Sequence, residues 1–150
     1  MSFFGIYETA GSAMTAQTVR LNTISSNLAN ADSVSGDPAK VYKPLKPIFS
    51  SIYNQFDATQ SLTQGRLQGS HQGIVPIRVA DVIEVPSVTE ERFEPDNPLS
   101  NDQGYVYYSG INVVNEMADM MSATRSFEAS VEVLGNAKSM QQSLLGLWRN

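Results

Sequence analysis

The sequence predicts an α+β protein: long N- and C-terminal helices forming an antiparallel, coiled-coil-like pair, with a loop-rich centre that holds a small β-sheet. Three observations carry this. Apolar residues recur every seven positions at the N-terminus and again at the C-terminus. Between these stretches the pattern changes to proline, glycine and one alternating apolar run. With 150 residues, the chain can build one domain with a real core.

The first helix is expected over residues 1–31. Tyr7, Met14, Leu21 and Leu28 fall seven apart, and Phe3, Ala10, Ile24 and Ala31 fill a second row that Gln17 interrupts. Some 28 residues at ~1.5 Å each make a rod of about 40 Å. Its end, "LNTISSNLANADS" (Leu21 to Ser33), carries Asn22, Asn27 and Asn30. Asn is a mediocre helix former because its amide competes for local backbone bonds. Asn30 suits a C-cap in the left-handed conformation. Asn22 and Asn27 need another reason. An amide both donates and accepts, so it can bridge two backbones or two helices. Polar residues beside an apolar seam fix register and partner choice, so the expectation is a helix whose amides meet other chains.

Residues 32–73 read as an extended or looped connector, in which Lys43-Pro44 and Lys46-Pro47 favour extended backbone. Residues 74–110 read as a small β unit. In "IVPIRVADVIEV", Val75, Ile77, Val79, Ile83 and Val85 share one parity, and Asp81 is the misfit. Short strands near Arg92–Glu94 and Tyr105–Tyr108 are expected to pair with this run, across the turn-rich "EPDNPLSNDQG". Residues 81–102 hold seven acids against Arg92 alone. That excess predicts a solvated outer face, with the strand run Ile74–Val85 beneath it.

The second helix is expected over residues 111–150. One row is Met117, Val131 and Leu145, with Thr124 and Lys138 as weaker members; the other is Met120, Phe127, Leu134 and Trp148, with Gln141. Beyond Leu134 the stripe drifts to Ala137, Met140, Leu144 and Leu147, as on a helix with more than one packing face. Asn112 is the expected N-cap, and Glu116 in the first turn complements the helix dipole. Met117, Met120 and Met121 suit either helix core or an adaptable binding surface. Trp148, near the chain end, implies burial against the first helix or a neighbouring subunit.

Chemistry is sparse. A net charge of −5 gives no basic footprint for nucleic acid. With no cysteine, disulfide and thiolate chemistry are excluded. The single histidine, His71, sits in the glycine-rich "GSHQG" and reads as a polar loop residue; a hydrolase built on it has nothing else to stand on. Neither metal-ligand spacing nor a phosphate-binding loop occurs, so catalytic, cofactor and metal residues are all expected to be none. The first basic residue is Arg20, which leaves no basic stretch to open a secretory leader. The most apolar run is too short and too charged to span a membrane, so direct membrane insertion is not expected.

Two amphipathic helices of this length cannot bury all their apolar surface against one small β unit, and the remaining faces call for other molecules. The residues expected at such an assembly interface are Tyr7, Met14, Leu21, Ile24, Asn27, Leu28, Asn30, Met117, Met120, Phe127, Val131, Leu134, Leu145 and Trp148.

The same residues carry a resemblance. "SSNLANADS" is similar to the N-terminal signature of the flagellar rod, hook and hook-associated axial proteins, with Ser33 where that signature has Thr. The stretch Phe93 to Met140 resembles the C-terminal half of the proximal-rod FlgC family, through Phe93–Pro98, Asp102–Val106, Asn112–Met120 and Arg125–Leu134. The resemblance implies a structural protein of the bacterial flagellar basal body, without enzyme activity or cofactor. It implies passage through the flagellar type III export apparatus without a cleaved signal peptide. Assembly would then follow with copies of itself and with neighbouring proximal and distal rod subunits and the rod-base adaptor. The product would be a periplasm-spanning tube that transmits torque and surrounds the export channel. The alternative is a soluble helical adaptor or chaperone-like binding module with a β insertion.

Overall fold

A computed structural model describes residues 3–51, 75–86 and 88–147. Most of the expected connector, with His71, and the C-terminal Trp148 lie outside the described residues.

Both long helices form. Helix α1 spans Phe3–Ala29 (27 residues) and α2 spans Val113–Leu147 (35 residues), or about 40 and 50 Å at ~1.5 Å per residue. Asn112 caps α2 as expected: its Oδ1 accepts from the Asn115 N–H at 3.1 Å. The helices run antiparallel. Asn27 meets Glu116, Arg20 meets Asp119 and Tyr7 meets Gln141, so contacts climb one helix as they descend the other.

The seam between them differs from the expected heptads. On α1, Ala10 and Ile24 are buried, as is Ala31 just past its end, but the row Tyr7, Met14, Leu21 and Leu28 is not; Ala16, Thr23 and Asn27 take its place. On α2 the most buried residues are Glu116, Ala123 and Ala137, with Ser130 half-buried on the same row. That row lies one position ahead of Met117, Thr124 and Val131. The reason is size: a row of alanine and serine lets two backbones approach closely, and the larger side chains turn outward.

The middle is built from β1 (Val34–Ser35), a 3₁₀ turn at Pro38–Lys40, β2 (Leu45–Ser51), β3 (Ile77–Glu84), β4 (Glu90–Phe93) and β5 (Tyr105–Tyr108). These strands form two sheets rather than one. Strands β4 and β5 do not pair with β3, as the sequence had suggested. Instead β5 is the centre of an antiparallel three-stranded sheet in the order β1-β5-β4, and its Val106 is fully buried. Strand β3 pairs antiparallel with β2, which lies inside the segment expected to be a connector. The prolines obscured β2: Pro47 cannot donate to a ladder, yet a two-stranded ribbon has free edges that tolerate it. In β3 the partner of Ile48 is Asp81 and that of Phe49 is Val79, so Ala80 is an extra, bulged residue. The bulge switches faces, so Asp81 and Ile83 share a side with Ile48 while Val79 lies with Phe49, and the apolar residues expected on one face are divided between two. The ribbon packs on α1, where the Ser12 hydroxyl accepts from the Ile77 N–H at 3.2 Å.

Between β4 and β5 the chain turns through Asn101 and Gly104. The Asn101 Oδ1 accepts from the Gln103 and Tyr105 N–H groups, at 3.0 and 2.9 Å, and Gly104 takes φ 80°, which favours glycine. Just before α2, Gly110 lies so close to the backbone of Val88 that a Cβ would strike its carbonyl. Gly135, within α2, has open space around it. Gly110→Ala should therefore destabilise the chain by about 1–3 kcal/mol, whereas Gly135→Ala should stabilise α2 by about 0.5–1 kcal/mol. Thermal unfolding of the purified variants checks both signs.

Candidate assembly surface

The end of α1 is pinned by one side chain. Asn27 is 1% exposed, and its amide makes four hydrogen bonds. The Nδ2 group donates to the Leu45 carbonyl at 3.0 Å and to Glu116 Oε2 at 3.1 Å. The Oδ1 atom accepts from the Leu45 N–H at 2.8 Å and from the Tyr42 hydroxyl at 3.1 Å. Every hydrogen-bonding site of the amide is filled. All four partners belong to its own chain, so this side chain ties α1 to the first residue of β2 and to the first turn of α2. Tyr42 lies above the usual tyrosine value of 10.0, first because it is partly buried, then because Glu116 and Glu84 disfavour a phenolate. It therefore remains a donor to Asn27 at any ordinary pH.

Asn30 differs from expectation. No residue other than glycine takes a positive φ among the described residues, so Asn30 is not left-handed. It still ends the helix, by another route: its Nδ2 donates to the Ser26 carbonyl at 2.8 Å. The Ser26 carbonyl also accepts the Asn30 N–H, and the Asn27 and Leu28 carbonyls accept the N–H groups of Asn30 and Ala31 in a tightened last turn, so no left-handed residue is needed. Asn22 is exposed.

The structure divides the expected interface residues into three groups. Ile24 and Asn27 are buried within the chain. Met14, Leu21, Leu28, Asn30, Met120, Phe127 and Leu134 are half-buried at the edges of the helix pair. Tyr7, Met117, Val131 and Leu145 face out, the last three at 52%, 47% and 65% exposure. Further apolar side chains join this outer surface: Val114, Met121, Met140 and Leu144 on α2, and Ile48, Phe49 and Ile83 on the ribbon. The drift of the apolar stripe past Leu134 signalled Met140 and Leu144. Ile48 and Phe49 gave no signal, because their segment carried no strand pattern.

The acidic region is used locally. Glu90 and Glu91 are exposed, and Glu90 pairs with Arg92 at 3.0 Å while Arg92 stacks over the Tyr108 ring at 4.5 Å. Glu94 accepts from Asn97 Nδ2 at 3.0 Å and from the Tyr108 hydroxyl at 2.9 Å. These two bonds, that of Asn97 first, hold the Glu94 carboxyl below its ordinary value of 4.5, and the same contact raises Tyr108. Among the described residues, no group of acids and histidines could hold a metal ion, and no helix is long and apolar enough to cross a membrane.

This architecture is that of a subunit whose own core is thin and whose large apolar residues lie outside. Similarity to known proteins names the class. Residues 8–36 match the family model for flagella basal body rod proteins, and residues 102–147 match that for the C-terminal part of the flagellar basal body rod FlgEFG proteins. The flagellar basal-body rod protein FlgC of Escherichia coli O6:H1 is 41% identical over 147 residues, 98% of each chain. That of Salmonella typhimurium is 40% identical over the same share, and that of Aquifex aeolicus 30% identical over 99% of each chain. The chain belongs to the FlgC family of flagellar basal-body rod proteins. It is a structural rod subunit of the flagellar basal body, and it associates with other rod components there.

Because the folded hairpin favours the Glu94 carboxylate, its contribution is complete above the ordinary glutamate range and is lost as pH falls through the lower folded value. Acid titration followed by NMR of the β4–β5 amides should show loosening below about pH 4.5. Glu94→Gln should flatten that dependence.

Proposed function

We propose that this subunit joins its neighbours through the outer faces of the terminal helix pair. The observation that carries the reading is the inversion of size across α2. Alanine and serine fill the seam against α1, while Met117, Val131 and Leu145 stay exposed. Apolar side chains of that size, in a row along a 35-residue helix, gain most by burial against another molecule. In an assembled rod the neighbours would be other copies of this chain, adjacent proximal and distal rod subunits and the rod-base adaptor. The helices would then form the wall of a periplasm-spanning tube that transmits torque and surrounds the export channel, with the β elements outward. The chain would reach that place through the flagellar type III export apparatus without a cleaved leader. Family membership supports this reading over a soluble adaptor.

Met117→Asp and Leu145→Asp separate assembly from folding, because both positions are solvent-exposed in the single chain. Each should leave thermal unfolding of the purified subunit and its secretion near wild type. Assembled rods in the same cells should fall by about tenfold or more, since burying an unpaired carboxylate costs at least several kcal/mol. Rods at wild-type number in both variants would refute the assignment.

A further inference from the structure

We propose that the buried Asn27–Glu116 pair is the register key of the terminal helix pair. The α2 seam repeats nearly equivalent small residues at seven-residue intervals, Ala123, Ser130 and Ala137, behind Glu116. Sliding α2 by one heptad moves it by about 10 Å. Near the Asn27 end alanine and serine then simply exchange, at the places of Ala123 and Ser130, so packing there barely discriminates between the two alignments; only at the far end does a large residue, Leu144, enter at the place of Ala137.

The Asn27 amide does discriminate. Its Oδ1 is held by the Leu45 N–H and the Tyr42 hydroxyl, which aims Nδ2 at α2. Only in the native alignment does Nδ2 reach a carboxylate there, Glu116 Oε2 at 3.1 Å. A slip of one heptad sets Ala123 opposite Asn27. That leaves a buried donor short of a partner and displaces a buried acid from its own. The cross-helix ion pair Arg20–Asp119, at 2.7 Å, has side chains 28% and 46% exposed and so holds register weakly. A polar side chain that fixes alignment within a permissive seam is a well-attested use of a buried amide. The clamp also includes the chain between the helices, since two of the four bonds go to Leu45 and one to Tyr42. The helices therefore gain their native alignment together with docking of β2.

This inference rests on the terminal helices being the assembling element, but its test reads register directly. The chain has no cysteine, so introduced pairs report cleanly. Arg20→Cys with Asp119→Cys reports the native alignment under a short bismaleimide; Arg20→Cys with Ser126→Cys reports a one-heptad slip. Both are read on basal bodies from cells whose only copy of the chain is the variant. With Asn27 intact, the native pair should link within one chain and the slipped pair should not. Asn27→Asp opposes two carboxylates and should cut the native link by about tenfold, with the slipped link appearing. Adding Glu116→Gln returns a donor and should restore the native link several-fold. If Asn27→Asp rods are too few to isolate, rod counts replace the link, and the double variant must exceed the single several-fold. Wild-type linking in Asn27→Asp, a double variant no better than the single, or a link that joins two chains would each overturn the proposal. Native linking together with silent Met117→Asp and Leu145→Asp variants would instead fail the assembly reading and leave this one standing.

Discussion

Four hydrogen bonds to one amide hold the three parts of this subunit together. Asn27 ties α1 to the chain that leaves it, and it gives the start of α2 a buried partner on α1. The seam around that amide is lined by alanine, serine and threonine, which contribute little apolar area per residue. Direction and alignment therefore come from a polar contact, while packing supplies close approach. Such a division suits a subunit that must pair its helices in one way and still keep its largest apolar groups free.

Those free groups explain why so long a pair of helices exists in a chain of this size. A monomeric protein with 35 residues in its last helix would place Met117, Val131 and Leu145 inward. Here the small side of α2 faces α1 and the large side faces away. The β2–β3 ribbon repeats the arrangement, packing on α1 while Ile48 and Phe49 stay exposed. The β1-β5-β4 sheet is different. Its Val106 is buried, Glu94 accepts from Asn97 and Tyr108, and Asn101 accepts from the Gln103 and Tyr105 N–H groups.

Much of this was legible in the sequence, and the misses share a cause. Helix extents, the Asn112 cap and the presence of a strand near Ile77–Glu84 follow from periodicity and local chemistry. The resemblance carried by "SSNLANADS" and by Phe93 to Met140 led to the family. The α2 seam was misplaced by one residue because a search for apolar repeats finds the largest side chains, whereas the contact within the chain uses the smallest. Strand β2 was missed because its partner lies about 30 residues away and its prolines argue against a ladder. Asn27 was singled out by its unfavourable placement in a helix. Its partners could not be read, because Leu45, Tyr42 and Glu116 come together only in the fold.

The central claim is that the chain fixes its own helix alignment internally and completes its apolar burial only against neighbours. A near-atomic reconstruction of the assembled rod tests this most directly. The account predicts Met117, Val131 and Leu145 buried against other subunits, with Asn27 still bonded to Tyr42, Leu45 and Glu116 of its own chain. Outer side chains left facing solvent or the channel, or an Asn27 amide bonded to a different chain, would contradict it.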